Sequence, residues 1–168
     1  MNSGRNISFA FVLMLFLQVV ICQIFQFGSY CVISLLPAML ICLPTSMSTL
    51  KCMLSAFFIA LFVDFFGDGL LGLNAFSLLP LAYARNFIFT KLFNEELITR
   101  GEPLSWRKWG VGLVFGAAFL FEALFLVIYI TVDAAGVRDF VPCLQTFLIS
   151  LPVNLLLGMG VLYAFLEK

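Results

Sequence analysis

The chain has no histidine and few charges. Of its 168 residues, 11% are charged and 63% are hydrophobic. A water-soluble domain carries about 25% charged and about 45–50% apolar residues. So few charges cannot cover the surface that a folded chain of this length exposes. That excludes a water-soluble globular fold, intrinsic disorder and a nucleic-acid binder. The missing histidine removes His-dependent catalysis, HExxH metal sites and the commonest transition-metal ligand. No CxxC pair occurs. Of the five cysteines, Cys22, Cys31, Cys42 and Cys52 fall in or beside apolar runs, where they read as small hydrophobes and not as a disulfide framework. Phosphate-cradling loops, paired catalytic carboxylates and nucleophile–base pairs are also missing. No cofactor, no metal and no enzymatic activity is therefore expected.

What the sequence has is long apolar runs, with a mean hydropathy of +1.13. The length admits about six spans of about 20 residues and little else. The runs are solidly apolar and do not alternate, which predicts helices and not barrel strands. The expected fold is all-α: a polytopic membrane protein, a six-transmembrane-helix bundle forming one integral membrane domain over 1–168. Spans are predicted at about 7–27, 30–43, 52–66, 70–89, 109–132 and 141–165, with a loop at about 91–108. The first run follows Arg5 but is too long for a signal-peptide core and lacks an A-x-A site, so it reads as a retained span.

Charge placement orients this topology. With six spans and the N-terminus in the cytoplasm, Arg5, Lys51, Lys91, Arg100, Arg107, Lys108 and Lys168 fall inside, and Arg85 is close enough to snorkel there. Outside lie Arg138, Asp68, Asp133 and Asp139, with Asp64 near the outer end of span three. This positive-inside bias places both termini and the 91–108 loop in the cytoplasm, with Trp106 and Trp109 at the inner aromatic belt.

Polar residues inside apolar runs are the candidate sites. Asp64 and Asp68 stand four apart and share a face if the helix continues. Gly67, Gly69 and Gly72 around them permit a tight turn or close helix approach, and Asn74 is placed to bond across helices or cap a broken end. Two readings are open: an outward polar pocket, or a helix-breaking hairpin whose acids touch water. The intramembrane aspartyl protease motif GxGD fails, because Phe65 holds its first position. Glu122 lies near the centre of span five. An ionised carboxylate there costs several kcal/mol unless it finds a partner or takes up a proton. Arg85 is the one embedded cation within reach of such a pairing. Gly112 and Gly116 form a GxxxG step for packing within the bundle or against a partner. Asn154, after Pro152 in span six, is a candidate interior residue. The 91–108 loop is open to three readings: a solvated loop, an amphipathic helix on the inner leaflet, or a contact for a cytosolic partner.

The stretch from Asp64 to Ala75, an Asp, a glycine-rich turn and then Gly72-Leu73-Asn74-Ala75, resembles the rod shape-determining protein MreD family, as does the apolar follow-on Leu78 to Tyr83. The resemblance implies a non-enzymatic scaffold of the bacterial inner (cytoplasmic) membrane. It would bind MreC directly, and through it MreB, RodA and the transpeptidase partner of RodA, and so act on peptidoglycan synthesis and cell shape. The family's fold is similar to the substrate-binding subunits of energy-coupling-factor transporters, which makes a small-molecule (vitamin-type) transporter subunit the alternative. Those subunits dock through an A-x-x-x-A face on span one. Here Ala10 is followed four residues later by Met14, which favours the scaffold.

Overall fold

The computed structural model describes residues 3–24, 31–68, 70–93, 104–135 and 137–166, with backbone alone at 3–10, 68 and 107. These residues form six α-helices: α1 (Ser3–Ile24), α2 (Leu36–Cys42), α3 (Thr49–Val63), α4 (Leu73–Phe93), α5 (Trp106–Ala134) and α6 (Phe140–Phe165). A π-helical turn, Asp64–Asp68, extends α3. Among the described residues there is no strand, as the unalternating apolar runs predict. Among the described residues, three segments are long and apolar enough to cross a membrane: Thr49–Gly67, Lys108–Ala134 and Phe140–Phe165. The large exposed side chains are apolar along all of them, with Phe58, Phe65, Val111, Phe119, Leu148 and Leu156 facing outward. Such a surface suits hydrocarbon and not water.

Consecutive helices pack side by side, α3 on α4, α4 on α5 and α5 on α6. Short α2 sits against α4, α5 and α6, while α1 lies along the π turn and α3. The core between α4 and α5 is aromatic. Phe89 meets Phe93 and Phe121 at ring separations of 5.6 and 5.8 Å, and Phe93 meets Trp109 at 5.4 Å.

Four departures from expectation shape the fold. Segment 30–43 is not one helix. Cys31–Leu35 has no helical structure, and α2 begins only at Leu36, with Pro37 in its first turn, where a missing N–H does no harm. Seven helical residues rise about 10 Å, too little to cross a bilayer core of about 30 Å. The five residues before them add about 16 Å if fully extended. The Gly67-Asp68 break is instead a π turn that carries the helix through Asp68. Gly67 allows it to sit against α1: a Cβ there would lie 3.0 Å from Cys22 Cβ. Gln23 Nε2 of α1 also donates to the turn's Phe66 carbonyl at 2.7 Å. Span four starts three residues late, at Leu73, because Gly72 takes φ +96° to reverse the chain. Helix α5 is kinked at Gly110, with φ 76° and ψ 157°, between the Trp-bearing turn and the long apolar run. Gly69, most of the 91–108 loop and both chain ends lie outside the described residues.

The Gly110 conformation is open almost solely to glycine, and a side chain there costs about 1–3 kcal/mol. Gly110→Ala is expected to lower the thermal unfolding midpoint in detergent. Gly112→Ala, where an added Cβ meets no described atom within 4 Å, is expected to stay within about 0.5 kcal/mol of the parent.

Candidate functional site

Three buried polar side chains, Gln18, Ser150 and Asn154, meet at the broken second segment. Residues 31–35 place backbone amides inside an apolar bundle, where each unpaired group costs about 1–3 kcal/mol. Two side-chain amides supply the partners. Asn154 of α6 accepts from Ser34 N at 3.0 Å through Oδ1 and donates to the Val32 carbonyl at 2.9 Å through Nδ2. Gln18 of α1 accepts from Leu35 N at 2.7 Å and donates to the Ile33 carbonyl at 3.3 Å. Asn154 serves alternate residues 32 and 34 and Gln18 serves 33 and 35, in a non-helical stretch that turns helical at Leu35 (φ −92°, ψ −1°). Each side-chain amide thus does what one residue of a neighbouring strand does in a sheet. Ser150, one turn before Asn154, accepts from Val32 N at 2.9 Å. Ser34 Oγ accepts from Leu36 N at 3.3 Å and serves the start of α2. Gln18, Ser34, Ser150 and Asn154 are all buried.

Arg85 holds the other end of α2. It does not snorkel: it is fully buried, and its guanidinium donates to the Leu43 and Pro44 carbonyls just past the end of α2. A cation at these orphan carbonyls meets the negative end of the helix dipole. The guanidinium carbon also stands 4.7 Å from the Phe89 ring centre. Broken segment 31–44 is therefore gripped at its start by α1 and α6 and at its end by α4.

Asp64 is fully buried. Its carboxylate accepts from Gly72 N (2.9 Å), Asn74 N (3.0 Å) and Ala75 N (3.3 Å). It is an N-cap for α4 delivered from the end of α3, and it satisfies first-turn N–H groups that the helix itself leaves open. Both readings of the hairpin, an outward pocket and acids touching water, are corrected for Asp64 by this geometry. The side chain of Asp68 lies outside the described residues.

Glu122 is 1% exposed, and neither carboxylate oxygen has a hydrogen-bond partner among the described residues. Gly158 of α6 makes room for it: a Cβ at 158 would sit 3.2 Å from Glu122 Oε1 and 3.6 Å from Ala38 Cβ. The Arg85–Glu122 ion pair is not formed, because the guanidinium is taken by the carbonyls after α2. Gly112 is exposed and Gly116 half-buried. An added Cβ at either meets no described atom within 4 Å, so the GxxxG step opens outward.

The structure thus brings Asn154 and Arg85 to opposite ends of the broken segment and Asp64, Gly72 and Asn74 together at the hairpin, and leaves Glu122 and the Gly112–Gly116 face apart. Arg85 lies twelve residues along α4 from Leu73, where the turn that Asp64 caps begins, about 18 Å by helical rise. No group of three or more His, Cys, Asp or Glu placed to hold a metal occurs among the described residues. Sequence reasoning misses Gln18, Ser34 and Ser150. Gln18 stands alone among apolar residues of α1, and Ser150 lies four before Asn154 on the same helix face; both signals are present in the sequence.

Asn154→Leu and Gln18→Leu each strand two buried backbone groups. Each is expected to lower stability by about 2–5 kcal/mol, read as a drop in the unfolding midpoint during dodecyl sulfate titration. Glu122→Leu removes an unpartnered carboxyl and is expected to raise the same midpoint. No family model, curated protein or solved structure matches this chain.

Proposed function

We propose that the chain is a non-enzymatic scaffold of the bacterial inner membrane, with both termini in the cytosol, that binds MreC within the cell-elongation machinery. The reading rests on the resemblance of Asp64–Ala75 to the MreD family. The observation that carries it is the open GxxxG face of α5. Gly112 and Gly116 lie on an apolar helix with no described residue against them, which leaves space for the backbone of another transmembrane helix. A bitopic protein such as MreC offers one such helix. The Asp64 cap adds support, since the motif positions act together: Asp64 accepts, Gly72 turns, and Asn74 and Ala75 donate. No reacting group is needed for this role.

One observation favours the rival, a substrate-binding subunit of a vitamin-type transporter. Transporters build sites from discontinuous segments, and 31–42 is one. Against it, Asp64 and Arg85 are committed to backbone groups at separate places and do not converge on one cavity.

Gly112→Ile combined with Gly116→Ile is expected to abolish co-purification of MreC in mild detergent while the chain still inserts and folds. Depletion is expected to round a rod-shaped host. Unchanged rod growth together with no MreC in the purified complex refutes the scaffold, and a metabolite retained through purification and identified by mass spectrometry establishes the rival.

A further inference from the structure

At the end opposite Trp106 the α5–α6 hairpin carries a groove of about 490 Å³. Its walls are apolar, with Val127 and Ile130 from α5 and Phe140, Leu144 and Phe147 from α6. Arg138 lines its end and is the only Lys or Arg between Trp109 and Leu166. One guanidinium nitrogen, Nη1, pairs with Asp133 Oδ2 at 2.9 Å. Asp139 is exposed beside it at the start of α6 and makes no side-chain capping bond to that helix, so the positive end of α6 faces the same rim.

We propose that this groove binds a zwitterionic aminophospholipid, with an acyl chain along the apolar walls and its headgroup at the rim. The rim carries both signs. The lipid phosphate meets the Arg138 guanidinium and the uncapped start of α6, and the primary ammonium meets the Asp133 and Asp139 carboxylates. A purely anionic headgroup satisfies Arg138 but faces two carboxylates with nothing to offer them. A choline headgroup has the right charges but no N–H to donate. From Val127 to Ala134 the groove runs about 10 Å along the helix, enough for the upper part of an acyl chain. The placement depends on membrane insertion and not on any MreC contact, so it stands or falls independently of the scaffold reading.

The test uses the full chain in mild detergent, supplied in turn with dioleoylphosphatidylethanolamine, dioleoylphosphatidylglycerol and dioleoylphosphatidylcholine, with bound lipid counted by native mass spectrometry. Phosphatidylethanolamine is expected to be retained best. Its retention is expected to fall about tenfold in Arg138→Gln, which removes the cation, and in Leu144→Trp, which fills the groove. Leu144 is exposed, so the second variant keeps the test alive if the first disturbs the Arg138–Asp133 turn. Equal retention of the three lipids, a preference for phosphatidylglycerol, or unchanged retention in both variants overturns the proposal. So does loss of a co-purifying protein helix with no change in lipid.

Discussion

A bilayer interior offers a backbone no water, and residues 31–35 enter the bundle without a helix to pair their amides. Everything around them is arranged to meet that demand. Two side-chain amides, Asn154 on one edge and Gln18 on the other, act as single-residue strands, with Ser150 adding a third contact. Because these partners come from α1 and α6, the first and last helices are joined through the second segment. The same constraint explains why α2 is short, why Pro37 stands in its first turn, and why Arg85 waits at its end.

Asp64, Arg85 and Glu122 show three different solutions to one energetic problem, the burial of an ionisable group. Asp64 collects three backbone N–H donors and so replaces its hydration with fixed dipoles. Arg85 collects two carbonyls and a ring face. Glu122 collects no described partner and lies close against Gly158, where a Cβ would crowd it. The first two are bonded to backbone groups and hold elements in place. Glycine plays equally distinct parts. Gly67 allows α1 to approach the π turn, Gly72 and Gly110 adopt backbone angles that side chains resist, and Gly112 and Gly116 leave a helix face bare. The scaffold reading places its contact at the last pair.

Much of the framework is legible in the residues. Solid apolar runs predict helices, Pro and Gly mark most of the breaks, and isolated polar residues in those runs stand out as exceptional. The exceptions are visible, but their partners are not. The position of Asp64 points to an outward site, yet its side chain turns inward to the α4 amides. Arg85 stands within reach of the head groups or Glu122, yet it meets carbonyls contributed more than forty positions earlier in the chain. Gly112 and Gly116 are as compatible with internal packing as with an open face. The pairing of a side chain with a distant backbone leaves no periodic trace, so pattern reading has no purchase on it.

By itself the sequence determined the solvent, the helical class and the approximate place of each apolar segment, because these follow from composition and from the need of a lipid-exposed backbone to bond to itself. Only the tertiary structure decided that the second segment is in part not helical, which polar group serves which amide, and which glycines lie open. Those outcomes depend on distances between elements far apart along the chain, and only packing sets them.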